Sequence, residues 1–423
     1  MIAVIKYEYY YIMIYFLLPR NEMDTYKHLN IELREDDIPV HYISTSLSYY
    51  LADIKNKIQD HEKEWDIYKK YTNPYEYIHT LIPNKKRAVS KHKPLSRSYF
   101  KMIEIIRTFK LTDFIVPLHR NTNIYMDTSS EQYVLLKSPR LPIKTFHLAE
   151  GPGGFIEALV ELRQNPNDLY VGMTILDNEN DNNIPAWKKS NTFLEQNPNV
   201  YVETGIDNTG NILNPNNFLF CKEKYASSMD FITGDGGFDF SLDFSKQEIH
   251  ISRLLFAQIA YALCMQKKNG CFILKIFDSF MHHTIDLIHL LSSFYEKVYI
   301  SKPLTSRFAN SEKYIVCCHF LHSSCKAFYP YLKSCFDHMM ETPDAYIHRF
   351  LHIPSSNYFL TKMEEYNSIF GQQQMENIHQ TLSLIDSKYK NDKINNLVKI
   401  NIQKSTNWCI KYDVPYNSTT TMY

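Results

Sequence analysis

The chain has 423 residues, with 46 Lys and Arg against 46 Asp and Glu and 44% hydrophobic residues. A formal charge of zero excludes nucleic-acid binding through a global positive field, so any such contact must come from a local basic patch. The eight cysteines include no C-x-x-C pair and several sit in apolar runs; this argues against a disulfide frame or a zinc site, and for buried thiols in a reducing, intracellular compartment.

Residues 9–18 form an apolar and aromatic run. It is too short to span a bilayer as a helix and lacks the basic start and small-residue cleavage site of a signal peptide. A buried or poorly ordered strand is expected there, and no membrane partner. From Ser46 to about Ile82 the pattern is helical and polar, with Trp65, Ile67, Tyr68 and Tyr71 at apolar positions and Pro74 and Pro83 as punctuation. Residues 84–94 are the densest basic stretch, with Lys85, Lys86, Arg87, Lys91 and Lys93. Such runs are usually solvated faces; the functional alternative is a strip that contacts phosphates. Residues 98–109 read as an amphipathic helix with Met102, Ile105, Ile106 and Phe109 on one side and Lys101 near its start.

From Lys144 onward strands and helices alternate. Strand candidates are 144–148, 169–173, 199–203, 229–233, 271–275, 297–300 and 314–319; helix candidates are 154–163, 246–266 and 281–295. This alternation implies an α/β fold, a mostly parallel sheet with helices on both faces. A polar loop, 207–215, follows the third strand. After about Ser323 strand patterns fade, and the remainder reads as a helix-rich addition packed on the core. His348 and His352 read there as ordinary residues of one helix face, and the tail from Asn417 as disordered. The chain thus divides into 1–95, 96–322 and 323–423.

Chemistry is concentrated at four places. Residues 146–160 run from an apolar strand through Gly151-Pro152-Gly153-Gly154 into a helix that begins with Phe155. Glycine allows a tight corner and close approach of a ligand to bare backbone, and the first N–H groups of the helix point into that corner. A strand, glycine corner and helix make the usual cofactor crevice of an α/β sheet. The third glycine of G-x-G-x-x-G is replaced by Ile156, which favours an adenosyl ligand other than a dinucleotide. The corner alone would fit a plain turn as well. Asp235 stands at the tip of the fourth strand, followed by Gly236-Gly237, where a turn aspartate is the plain alternative. Lys275 ends an apolar strand, where a buried lysine needs a partner or a lowered pKa unless it snorkels past the sheet edge. Glu312 precedes the final strand in a hairpin that also carries Arg307, and a solvated loop glutamate is the alternative.

Lys101 within Ser96-Arg97-Ser98-Tyr99-Phe100-Lys101-Met102, the Gly-Pro-Gly-Gly-Phe corner, Gly234-Asp235-Gly236-Gly237-Phe238, Leu274-Lys275-Ile276-Phe277-Asp278 and Ser306-Arg307-Phe308-Ala309-Asn310-Ser311-Glu312 occur in this order. Together they resemble the FtsJ/RrmJ family of S-adenosylmethionine-dependent RNA ribose 2′-O-methyltransferases, most closely the mRNA cap enzymes of eukaryotes and large DNA viruses. The resemblance covers roughly residues 96–320. It implies a Rossmann-like sheet with its last strand antiparallel, flanked by the N-terminal and C-terminal additions. By motif the family's Lys-Asp-Lys-Glu tetrad falls on Lys101, Asp235, Lys275 and Glu312. The cofactor corner falls on Gly151, Pro152, Gly153, Gly154 and Phe155. Asn211 and Ile212 stand where relatives carry an aspartate near the adenosyl group, with Asp207 as a nearby substitute, and Asp235 is placed to face the methionyl ammonium. Lys85, Lys86, Arg87, Lys91, Lys93 and Arg307 become candidate RNA contacts. The resemblance implies methyl transfer to the cap-proximal nucleotide of mRNA, with capped RNA and other capping or transcription proteins as partners, in the cytoplasm or, for a viral protein, the virion. An rRNA or tRNA enzyme, and an inactive RNA-binding scaffold, stay open as alternatives.

Overall fold

The computed structural model describes residues 13–35, 37–111, 141–176, 186–237, 246–387 and 390–418. Residues 9–12 of the first apolar run, Phe238 and the last five residues of the tail lie outside them. The strands are β1 (Ile14–Leu17), β2 (Leu29–Arg34), β3 (Lys144–Leu148), β4 (Leu169–Met173), β5 (Val200–Glu203), β6 (Met229–Gly234), β7 (Gln266–Ile276), β8 (Tyr295–Lys302), β9 (Lys313–Phe320) and β10 (Tyr346–Leu351). The helices are α1 (Thr45–Asn56), α2 (Glu62–Thr72), α3 (Ser98–Phe109), α4 (Gly154–Arg163), α5 (Asn191–Gln196), α6 (Pro215–Tyr225), α7 (Gln247–Met265), α8 (His282–Phe294), α9 (Tyr329–Glu341), α10 (Asn357–Ile385) and α11 (Lys390–Lys411).

Eight strands make one sheet in the order β1-β8-β9-β7-β6-β3-β4-β5. β5, β4, β3, β6 and β7 are parallel neighbours, and β9 inserts antiparallel between β7 and β8. Both faces are covered, as parallel sheets require. Ile232, Phe272 and Leu274 join one apolar cluster with α7 and α8. Phe231 and Ile273 join a second with α3, α4 and Trp408 of α11. The chain leaves β3 for β4 on one side and takes up β6 on the other. That switch point opens a crevice at the carboxyl ends of the strands, where ligands bind in such sheets.

The strand expected in the first apolar run is β1, which pairs antiparallel with β8 and extends the sheet at its edge. The additions differ from expectation in two ways. β10, which places His348 in a strand and not on a helix, pairs with β2 and joins the two additions; the partner strand, and not local pattern, decided the conformation. Asn417 is anchored, its N–H donating to the Val89 carbonyl at 2.9 Å and its Nδ2 to that of Ala88 at 3.0 Å. The additions also pack on each other: Thr72 meets Thr381 at 2.7 Å, and Asn401 Nδ2 donates to the Tyr71 carbonyl at 2.8 Å.

Candidate active site

Four elements deliver four ionisable groups to one point at the strand tips. The register pairs Lys275 of β7 with Tyr314 of β9, which sets Glu312, just before β9, beside the end of β7. Asp235 follows β6 directly, and Lys101 comes from the first turns of α3. Lys101 Nζ sits 2.7 Å from Glu312 Oε1 and 2.8 Å from Oε2, both side chains being nearly buried. Burial would raise the Glu312 carboxyl, but Lys101 and Lys275, with hydrogen bonds from Lys101 and Ser306, hold it well below the usual carboxylate range. Burial also lowers the Lys101 ammonium against the opposing pull of Glu312 and Asp235. The second pair is looser. Lys275 Nζ donates to the Asp235 carbonyl at 2.7 Å and stands 3.3 Å from Asp235 Oδ1.

Tyr314, which sequence reasoning overlooked, links the two pairs. Its hydroxyl donates to Asp235 Oδ1 at 3.0 Å and lies 3.5 Å from Lys101 Nζ. Burial, then the Asp235 and Glu312 charges, push this phenol well above its ordinary value, so it remains a donor. Its signal was available, because residues two apart at a strand end share a face. Ser306 was also missed; its hydroxyl donates to Glu312 Oε1 at 2.7 Å across the hairpin.

The glycine corner is built as expected but its neighbours are not all ligand space. Gly153 adopts φ +104°, and a Cβ on Gly151 would stand 2.5 Å from the Ala186 carbonyl oxygen. A Cβ there or on Gly153 would strike the chain's own Ala186 and Trp187, and one on Gly154 the hydroxyls of Ser96 and Ser98. The glycines therefore admit protein as well as open a crevice. Ser190 Oγ donates to the Pro152 carbonyl at 2.5 Å. The Phe155 ring is fully buried in the core, and its N–H donates to Glu150 Oε1 at 2.6 Å. A carboxylate placed before the helix thus satisfies one of its first donors.

The loop after β5 lies at the same sheet edge, where Leu176 N–H donates to the Thr209 carbonyl at 2.8 Å. Asp207 is engaged within that loop. Its carboxylate accepts from Thr209 N–H, Thr209 Oγ1, Asn214 Nδ2 and Asn217 Nδ2 at 2.6–3.0 Å, which gives it the work of shaping the loop. Asn211 Oδ1 accepts from Leu213 N–H at 3.0 Å, and Ile212 is buried in the core with Leu148 and Met173.

Among the basic residues, Lys86, Arg87, Lys91 and Lys93 line one cleft of about 500 Å³ together with Arg97. Lys85 is not in its lining. Arg97 ties this cleft to the catalytic hairpin through the Thr305 carbonyl, 3.2 Å from its Nη2. Arg307 makes a two-pronged pair with buried Glu76, at 3.0 Å and 2.6 Å, and also stands in the wall of a second cavity. This cavity, of about 270 Å³, lies on the other side of the hairpin and is lined by Trp65, Phe277, Lys55, Gln247, Asn310 and Ser311 among others.

A doubly covered parallel sheet, a glycine corner at its switch point and a paired Lys-Asp-Lys-Glu cluster at the strand tips define a cofactor-dependent α/β enzyme. The FtsJ-like methyltransferase model matches residues 94–320, more than half of the chain, and the protein belongs to that family. A cap-specific mRNA (nucleoside-2′-O-)-methyltransferase 2 of Pongo abelii is 30% identical over 283 residues, covering 62% of this chain and 36% of the relative. A cap-specific mRNA (nucleoside-2′-O-)-methyltransferase 1 of Leishmania braziliensis is 32% identical over 226 residues, covering 51% and 54%; the Homo sapiens methyltransferase 1 is 36% identical over 172 residues, covering 40% and 20%. The chain therefore spans from a fifth to about half of the curated relatives it matches.

The methyl donor of such an enzyme is S-adenosylmethionine, which supplies an electrophilic methyl on a positive sulfur. The residues present fit a cation there. Glu150 Oε2 is buried without a hydrogen-bond partner among the described residues. Burial, then the Asp235 charge, push the Glu150 carboxyl well above its ordinary value. A positive group between Glu150 and Asp235 would relieve both effects.

Proposed function

We propose that the protein transfers a methyl group from S-adenosylmethionine to a ribose 2′-hydroxyl of RNA, at the cap-proximal nucleotide of mRNA. The observation that carries this reading is the opposed construction of the two lysine pairs. Lys101 is fixed by both oxygens of Glu312 and holds the acceptor hydroxyl in a positive field. Lys275 keeps a looser tie to Asp235 and, as the neutral amine, aligns the hydroxyl and takes its proton, becoming an ammonium as the oxygen–methyl bond forms and the methyl–sulfur bond breaks. Glu312 balances the Lys101 ammonium, Asp235 balances the charge that Lys275 acquires, and Tyr314 sets the orientation of Asp235. Alignment of this kind converts an encounter into an in-line displacement. Glu150, Asp235 and the corner at Gly151–Gly154 are the residues that would hold the donor.

The cleft of Lys86, Arg87, Lys91, Lys93 and Arg97 supplies the local basic patch that the neutral chain requires for phosphates. The cavity walled by Trp65 and Phe277 adjoins the tetrad and offers aromatic surface to a base. The names of the relatives support a capped substrate. The test is transfer of labelled methyl to matched short RNAs, one with a methylguanosine cap and one with a 5′ triphosphate, followed by nuclease mapping. Label on the first or second ribose of the capped RNA alone is expected. Internal label on both RNAs would move the substrate to rRNA or tRNA, and no label despite cofactor binding would leave an RNA-binding scaffold.

A further inference from the structure

Residues 303–312, the turn that carries Glu312, are held from behind by buried charges of opposite sign. Lys302, the last residue of β8, is 4% exposed. Its Nζ donates to the Asn310 carbonyl at 2.7 Å, Asn310 Oδ1 at 3.0 Å and the Glu312 carbonyl at 2.8 Å. Glu104, one turn after Lys101 on α3, is fully buried. It accepts from Leu304 N–H at 2.8 Å, Thr305 N–H at 3.1 Å and Thr305 Oγ1 at 3.0 Å. The Trp408 indole of α11 donates to the same carboxylate at 3.2 Å. A turn leaves backbone donors and acceptors without ladder partners. Here the acceptors of one limb meet an ammonium and the donors of the other meet a carboxylate.

Burying an ammonium is costly compared with an apolar side chain of similar length. What the ammonium adds is direction, three donors for three oxygens. We propose that Lys302 is a positioning residue of methyl transfer: it fixes the backbone of Glu312, and through the Glu312 carboxylate it fixes the Lys101 ammonium, while Glu104 holds the opposite limb. Lys302 itself stands behind the turn, and its donors are all directed at the hairpin.

The groups that face Lys302 are Glu312 and Lys313 of the β9 segment, Lys101 of α3, and Asp278 after β7, itself paired with Lys55 of α1 at 3.0 Å. Burial lowers the Lys302 ammonium to about 7, with Glu312 and Asp278 opposing the shift and Lys313 and Lys101 adding to it. All three contacts are to oxygens, so only the protonated form makes them all. The Lys302 limb of the clamp is therefore complete below about 7 and weakens as pH rises through that value, whereas burial raises the Glu104 carboxyl to about 7, so the opposite limb gains its carboxylate over the same range.

This inference uses the methyl-transfer reading for its kinetic arm alone. The variants are Lys302→Met and the surface change Asn310→Ala in the full chain. Readouts are kcat and KM on the RNA that the wild type methylates, cofactor affinity by calorimetry, and amide exchange of residues 303–312 on both sides of neutral pH. Lys302→Met should lower kcat by roughly 10- to 100-fold, leave cofactor affinity within about twofold, lower the protection of the residue 310–312 amides against exchange and abolish the loss of that protection as pH rises. Asn310→Ala should act in the same direction more weakly, and the double variant should be no worse than Lys302→Met, because the two residues share contacts. Unchanged exchange and kcat would overturn the proposal; so would parallel loss of cofactor binding and thermal stability, which would make Lys302 a general core residue. If Lys302→Met does not fold, Asn310→Ala carries the same readouts. If the wild type methylates no RNA, the functional reading fails, and exchange in the turn still decides the role of Lys302.

Discussion

The two lysine–carboxylate pairs share a site and differ in how much freedom each lysine keeps. Lys101 is nearly buried and gripped by both oxygens of Glu312, whereas Lys275 is 13% exposed and reaches one Asp235 oxygen at 3.3 Å and a backbone carbonyl at 2.7 Å. An ammonium gripped by two carboxylate oxygens is fixed in place, whereas a lysine held mainly by one carbonyl keeps room to turn toward a bound hydroxyl. The contrast teaches that the order of residues in a tetrad says nothing about division of labour, because labour depends on which oxygens each ammonium meets.

The contrast breaks most readily at Lys275. Replacement by Ala should lower kcat by about 10²–10⁴-fold, the range for a lost acid–base group, with cofactor affinity nearly unchanged by calorimetry. Lys275→Arg should not restore it, since a guanidinium does not give up its proton. Unchanged turnover would remove Lys275 from its role.

Glu312→Gln tests the gripped pair through stability. It leaves the Lys101 ammonium buried without its counter-charge, at a cost of about 3–5 kcal/mol in denaturant unfolding. The Glu312 carboxyl is held below its unfolded value, so its stabilisation is present above the unfolded carboxylate range and is lost as pH falls toward the depressed folded value. The variant should lack this part of the acid dependence; parallel pH curves for variant and wild type would show that the pair is not ionised.

Tyr314→Phe should sharpen the comparison with a smaller change. It removes one hydrogen bond to Asp235 and should cost about 0.5–1.5 kcal/mol, with turnover reduced several-fold and the Lys101–Glu312 pair untouched. An effect as large as that of Lys275→Ala would give Tyr314 a direct part in the reaction. The smallest effect on chemistry belongs to the basic cleft. Neutralising Lys86, Lys91 and Lys93 should weaken RNA binding and flatten its salt dependence by about 0.7 in log–log slope per lost phosphate contact. Lys85→Ala should change neither, and equal effects would dissolve the distinction drawn from the cleft lining.

The local parts of this protein were legible in its residues. The 144–148 and 169–173 strands, the 154–163 helix and the 98–109 helix all have the expected bounds, because each carries its own period and its own stop signal within a few residues. The tetrad was legible only through the family resemblance, whose motifs fall on residues that local pattern places at strand and helix ends. β2 and β10 were not, and the partner of β1 was not, since short edge strands are fixed by partners far along the chain.

Polar side chains divide in the same way. Residue type and spacing determined that Lys101, Asp235, Lys275 and Glu312 would stand at strand tips and helix starts. Only the tertiary structure decided that Arg307 turns to Glu76, that Asp207 serves its own loop, that Phe155 belongs to the core, and that Lys302 and Glu104 grip the hairpin. The physical reason is that secondary structure follows from a repeating local pattern, whereas a charged or hydrogen-bonding group takes the partner that folding brings within about 3 Å, and that partner has no fixed distance in sequence.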